Sequence, residues 1–262
     1  MSEPANTFQL DDYAMHHVMN SQEWHIPFLG SVKLPSFLTL HGFMIVLWSI
    51  ILIFLFCFLY KKNERVPRGI TNFLEMFIVF IRDEISIASL GKDDGRKMTP
   101  LLCTFFFFIL GLNLLGLIPL FATATANINV TGALALITLS VMVFGAIYKN
   151  GFLQFLKSFV PSGVPFPILI ILVPIEFLSL FIKAFALMIR LFATMLSGHL
   201  VILSILGLVG VLGVGFLGLI ALPSIVLAVF VSLIEVFIAF LQAYIFTLLS
   251  ALFIGQLYHP QH

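Results

Sequence analysis

The chain has 262 residues, of which 61% are hydrophobic and 10% charged, with 30 phenylalanines and a formal net charge of +1. A water-soluble chain of this length lacks the interior to hide so much apolar surface, and ordinary globular sequences carry about a quarter charged residues. The composition excludes a soluble enzyme and requires a membrane protein, and the small net charge gives no basis for a nucleic-acid partner.

Residues 1–37 read as an outer-side tail bearing Glu3, Asp11, Asp12 and Glu23. No cleavable signal is expected, because the first apolar run begins only near Leu38 and is too long for a signal core. Residues 38–60 meet the requirement of about 20 apolar residues for a spanning helix. Lys61, Lys62, Arg65 and Arg68 follow, so the positive-inside rule places that end in the cytoplasm and the tail outside. Residues 70–87 are too polar to span. Phe73, Leu74, Phe77, Phe80 and Ile81 recur at helical spacing among Glu75, Arg82 and Asp83, which predicts an amphipathic helix along the cytoplasmic interface. Lys92 to Lys97 reads as a solvated cytoplasmic loop.

Residues 99–148 predict a two-helix hairpin: Thr99 to Phe121 outward, a polar link from Thr123 to Asn127, and Ile128 to Tyr148 in return. Lys149 and Lys157 mark the cytoplasmic side again. Cys57 and Cys103 lie inside apolar runs with no second thiol or histidine at ligand spacing, so neither a disulfide nor a metal site is expected.

From Phe166 to Leu257 the chain is almost continuously apolar, and four short spans compete with two long tilted helices. The polar residues decide. Glu176, Lys183, Arg190 and Glu235 are the only charged residues in this stretch, joined by His199 and Gln242. Each ionisable group at membrane depth costs at least ~2.5–3.5 kcal/mol on insertion scales, so such groups face a partner or water and mark function. Glu176, Lys183 and Arg190 are spaced by seven, which at about 3.6 residues per turn puts them on one stripe. Glu235 and Gln242 share a face of a second helix in the same way. Facing positions of antiparallel helices keep a constant index sum: Arg190 with Gln242 totals 432, His199 with Glu235 totals 434. Half of 432 is 216, within the cluster Gly207, Gly210, Gly213, Gly215 and Gly218, where a turn belongs. Residues 166–257 therefore read as a long tilted antiparallel hairpin with a polar seam.

At ~1.5 Å rise per residue, His199 and Glu235 lie roughly 10–14 Å from Arg190 toward the outside, and Glu176 about 20 Å the other way. Carboxylates and histidine relay protons; a guanidinium stays charged and cannot. This order implies two aqueous half-paths divided by a fixed positive charge. Glu176 follows Pro174 near a helix start, where a carboxylate also suits the helix dipole. Lys183 can also reach cytoplasmic headgroups by snorkelling.

The segment Arg190-Leu191-Phe192-Ala193-Thr194-Met195-Leu196-Ser197-Gly198-His199 resembles the arginine segment of the a subunit of F-type ATP synthases. So does Leu241-Gln242-Ala243-Tyr244-Ile245-Phe246. Tyr13 to His17, Asn113 to Pro119, and Glu176 to Lys183 match in family order over nearly the whole chain. The resemblance implies an all-α integral membrane protein with five transmembrane helices and one interfacial helix, forming a single membrane domain over 1–262 in the bacterial inner membrane. It implies a stator role beside a rotating c-subunit ring, contact with b-type peripheral stalk subunits, and protons as the transported ion. Arg190 would face the ring assisted by Gln242; His199, Glu235 and Asn113 would line the outer half-channel; Glu176 would belong to the cytoplasmic one. Thr194 and Lys183 would support them. Two departures stand out. Some bacterial members carry glutamate at the position of His199 and histidine at that of Glu235, a swap that keeps one of each at the same depth. The usual asparagine four residues after the arginine is Thr194, whose hydroxyl still hydrogen-bonds.

No cofactor, metal or nucleotide is expected. Gly213 to Gly218 formally matches a dinucleotide fingerprint but lacks the strand and the later acidic residue. Asn129-Val130-Thr131 matches a glycosylation sequon, a role not expected at the lip of a membrane hairpin. His16, His17 and His25 supply no closed ligand set. The chain has no phosphate loop and is expected to catalyse nothing alone. A secondary transporter would need two matching halves with broken helices, and a haem subunit axial histidines at membrane depth; only His41 and His199 meet the second requirement.

Overall fold

The computed structural model describes residues 23–26, 30–33, 39–59, 69–118, 123–160, 166–211 and 217–259. The tail motif at 13–17, the basic residues at 61–68 and the predicted turn around 216 lie outside them. Five helices are long and apolar enough to cross a membrane, and the all-helical membrane class holds. A short antiparallel strand pair precedes them, β1 (Glu23–Ile26) with β2 (Gly30–Lys33).

Helix α1 (Leu40–Phe54) starts at Thr39, whose hydroxyl accepts from the Gly42 amide at 3.3 Å, a side-chain cap for one of the first free N–H groups. It runs on through a π-helical turn, Leu55–Leu59. Helix α2 (Ile70–Phe80) continues as a π-helical stretch, Ile81–Ile87, and ends at Ala88–Leu90. Leu74, Ile81 and Ile85 are buried, while Phe73, Met76 and Phe80 are exposed, so the open side of this helix also carries apolar residues.

Helix α3 (Lys92–Gly116) corrects one expectation. The charged stretch Lys92 to Lys97 forms its first turns rather than a loop. Asp93 and Asp94 sit in the first turn, where the helix dipole favours negative charge. Gly95 is pressed onto α2, with the Ser86 hydroxyl donating to its carbonyl at 2.6 Å; a Cβ there would meet Ser86 and Ile87 backbone at 2.8 Å. A one-turn 3₁₀ segment, Ala124–Ala126, leads to α4 (Ile128–Asn150), capped by the Asn127 side chain accepting from the Asn129 amide at 2.9 Å. The short α5 (Phe152–Lys157) follows Gly151.

The last stretch forms two helices, α6 (Phe166–Val211, 46 residues) and α7 (Leu217–Tyr258, 42 residues), not four. Lys183 of α6 donates to Gln256 of α7 at 2.9 Å, and Gly198 of α6 lies against Glu235 of α7. Contacts thus advance along one helix as they recede along the other. The core is phenylalanine-rich: Phe106 is fully buried, with Phe77 stacked on it at 5.8 Å and Phe240 edge-on at 5.6 Å. Near the α1–α3 crossing, Trp48 donates its indole N–H to the Phe107 carbonyl at 3.2 Å and covers Gly111, where any side chain would overlap the ring. The outward faces of α6 and α7 carry exposed Ile171, Phe181, Phe185, Phe230, Leu233 and Phe237. So large an apolar surface suits hydrocarbon or a partner, not water.

Candidate functional site

A cavity of about 220 Å³ opens between α3, α6 and α7. Asn113 of α3, Thr194 and Ser197 of α6, Glu235 of α7 and Thr123 of the polar link line it with aliphatic residues. Helix α6 approaches closely here because residue 198 is glycine: a Cβ would sit 2.8 Å from Glu235 Oε1. Glu235 is 6% exposed, and both carboxylate oxygens lack a hydrogen-bond partner among the described residues, which leave out the His199 side chain. Asn113 is fully buried; its Nδ2 donates to the Ala239 carbonyl at 3.4 Å, while its Oδ1 is unpartnered. Buried polar groups are normally satisfied, and this cavity, though mostly apolar in its lining, brings Asn113, Thr123, Thr194, Ser197 and Glu235 to one place. The chemistry on offer is proton uptake and release at a buried carboxyl group.

Gln242 lies two turns along α7 from Glu235, 3% exposed, with its Nε2 unpartnered. Arg190 is exposed on α6, and its guanidinium makes no hydrogen bond or ion pair among the described residues. The structure therefore does not join Arg190 to Gln242. The Arg190 carbonyl accepts from the Thr194 hydroxyl at 2.8 Å. Thr194 thus faces the cavity wall and its own helix rather than the guanidinium.

His199 lies on α6 next to Gly198, and its side chain is outside the described part. Glu176 is exposed near the start of α6, with Pro174 two residues before it; its carbonyl accepts from the Ser179 hydroxyl at 2.6 Å. Lys183 points to α7, bonding Gln256 and sitting 5.5 Å over the Phe253 ring. A nearby amide and an aromatic face give its ammonium a local partner.

Of the residues singled out from sequence, the cavity gathers Asn113, Thr194 and Glu235; Arg190, Gln242, Glu176 and Lys183 lie off it. Sequence reading passed over Thr123, Ser197 and Gly198. Ser197 stands seven residues beyond Arg190, on the same stripe, and is followed by the glycine that lets α7 in. That spacing was the available signal. Among the described residues, no group of three or more His, Cys, Asp or Glu side chains could hold a metal ion.

Fold and site define a polytopic helical membrane protein with a pocket at its two longest helices that holds a buried carboxyl group, and an exposed arginine on one of them. The chain belongs to the ATP synthase A chain family, whose sequence profile matches residues 42–255. It is similar to ATP synthase subunit a of Anaeromyxobacter dehalogenans, 46% identical over 226 residues, covering 85% of this chain and 58% of that one. It is similar also to ATP synthase subunit a of Chloroherpeton thalassium, 42% identical over 264 residues (95% and 78%), and of Myxococcus xanthus, 39% identical over 261 residues (91% and 84%). The chain spans about half the length of the Anaeromyxobacter relatives it matches. Five apolar helices together with these relatives make it a bacterial membrane protein.

Proposed function

We propose that this chain is the stator proton-channel subunit of an F-type ATP synthase membrane sector, working against a ring of c subunits and held by b-type stalk subunits. One observation carries the reading: Arg190 is an exposed guanidinium without a partner among the described residues, on a helix long and apolar enough to cross a membrane. Such a cation in hydrocarbon is costly, and a neighbouring chain that brings a carboxylate to the same depth removes the cost. Family membership makes a ring carboxylate the natural candidate.

The whole chain is read as one membrane domain, with the N-terminus outside and the C-terminus in the cytoplasm of the bacterial inner membrane. Helices of 46 and 42 residues extend about 69 and 63 Å at ~1.5 Å per residue, against a hydrocarbon thickness of ~30 Å. We read them as a strongly tilted antiparallel hairpin following the ring.

Protons enter from outside through the pocket of Asn113 and Glu235, with His199 as the second titratable group. They neutralise a ring carboxylate there. The neutral carboxyl can turn into lipid, where an ionised one would be expensive. After nearly a full revolution it meets Arg190, whose fixed charge favours the ionised form, and the proton leaves along the Glu176 side. The same cation repels protons and blocks a direct leak, while Gln242 supports it on the α7 side. Thr194 and Lys183 hold the local geometry. Each charge crossing contributes ~2.3 kcal/mol per 100 mV, so several crossings are needed for each ATP made elsewhere in the complex.

The test is Arg190→Ala in the assembled synthase. Proton-driven ATP synthesis is expected to vanish while assembly persists. Normal coupled synthesis by that variant would reject the reading.

A further inference from the structure

The buried side-chain polar atoms without a partner among the described residues belong to His41, Thr125, Asn113, Glu235 and Gln242. The path proposed above accounts for the last three. His41 is 2% exposed with both ring nitrogens unpartnered, and Thr125 is fully buried with its hydroxyl unpartnered. Buried polar groups are normally hydrogen-bonded, and an orphaned imidazole in an apolar surround is costly.

Packing carries both residues to the edge of the Glu235 cavity. Contacts recede along α3 as they advance along α1: Trp48 covers Gly111, and Phe56 stands edge to face with Phe107 at 5.3 Å. His41 precedes Trp48 by two turns on the same stripe, which sets it about 10 Å nearer the end of α3 at ~1.5 Å per residue. At that end Gly116 and Leu117 line the cavity. Leu40 and Met44, on either side of His41, pack in one cluster with Leu112 and Ala124, the chain neighbours of Asn113 and Thr125. The 3₁₀ segment Ala124–Ala126 touches α1, α3 and α6 alike, so it bridges the His41 side to the cavity wall. Thr123, just before it, lines the cavity and donates to the Gly116 carbonyl at 3.3 Å.

The electrostatic surround is simple. No Asp, Glu, Lys or Arg stands on α1, on Ala124–Ala126, or on α3 beyond Lys97. Across the cavity are Glu235 of α7 and, one turn before the cavity-lining Thr194 on α6, Arg190.

We propose, resting on the stator reading above, that His41 is a further proton-relay residue, taking protons from outer water and passing them by Thr125 and Thr123 to the Asn113–Glu235 pocket. One ring nitrogen accepts a proton as the other releases one, and ring rotation restores the starting tautomer, so charge balances and no electrons move. Two untied nitrogens suit that exchange. A bracing histidine ties its nitrogens to fixed partners.

The test is passive proton conduction by the complete membrane sector in liposomes, with the pH on the outer face varied. At an outer pH of about 8, above histidine's ordinary pKa of ~6.5, His41→Gln should conduct roughly 10²-fold more slowly. At about pH 5.5 the deficit should largely close, because protons are then abundant enough to reach the pocket unaided. In His41→Ala, imidazole added to the outer face should restore conduction at the higher pH, which no bracing role produces. Undiminished conduction by His41→Gln at the higher pH, or a deficit equal at both pH values and unmoved by imidazole in His41→Ala, would overturn the proposal. A sector with native His41 that conducts no protons sinks the stator reading instead. Conduction blocked in Glu235→Gln but normal in both His41 variants sinks the relay alone.

Discussion

Where the start of α3, the end of α4 and the last turn of α7 meet, polar groups close on one another. Lys149 donates to Asp94 and to the Tyr258 carbonyl at 3.3 Å, and lies 5.2 Å over the Tyr258 ring. His259 lies 3.2 Å from Asp94 and 3.1 Å from the Leu90 carbonyl, and Asn150 donates to Leu257 and Tyr258. At the α6–α7 cavity the opposite holds for two residues, Asn113 and Glu235. Every buried side-chain polar atom left unpartnered among the described residues belongs to His41, Asn113, Thr125, Glu235 or Gln242, and none to the Lys149 cluster. A satisfied polar cluster ties elements together, whereas orphaned groups at membrane depth are costly and persist where something must pass or bind. Buried polarity in this chain thus separates into brace and site according to whether its hydrogen bonds are closed.

The contrast can be broken from either side. The largest effect is expected at Glu235. Glu235→Gln keeps size and hydrogen-bonding capacity but cannot titrate, so proton conduction through the reconstituted membrane sector should fall roughly 10²–10⁴-fold. Conduction at the original rate would place Glu235 with the structural groups. A smaller loss, roughly tenfold, is expected for Gly198→Ala, whose methyl would press on Glu235 Oε1 and shift the carboxyl within its pocket. Conduction unaffected by that methyl would show that the close approach has no bearing on the path. The smallest effect on conduction, none, belongs to Lys149→Ala. It should instead lower the stability of the solubilised chain by about 1 kcal/mol, read as an earlier thermal loss of helix, because Asp94 loses its lysine and keeps only His259 beside it. A conduction defect in otherwise stable protein would show that the brace is part of the path.

Much of the candidate site was legible in the sequence because charged residues in apolar runs are conspicuous. Gly198 beside Glu235 totals 433, between the 432 and 434 of the index-sum argument, but Arg190 and Gln242, the pair behind 432, are not joined by a hydrogen bond, and the His199 side chain behind 434 lies outside the described part. Lys183 with Gln256 totals 439, a drift of six residues from that register. A long lysine side chain reaching along the neighbour takes up part of it. The first turns of α3 were not legible, since Lys92 to Lys97 has the composition of a solvated loop and its helicity depends on Gly95 docking against Ser86.

The sequence by itself determined that this is a helical membrane protein, where its five spans run, and which polar residues are out of place in them. A bilayer enforces about 20 apolar residues per span and internal backbone hydrogen bonding, and both leave a one-dimensional record. Only the tertiary structure decided that Thr123, Ser197 and Gly198 share a pocket with Glu235, that Arg190 is exposed and not bonded to Gln242, and that α1, α2 and α3 leave a slot between them. Those facts depend on how close helices approach and how they rotate about their axes. Such quantities are set by packing between residues far apart in the chain, and apolar periodicity does not encode them.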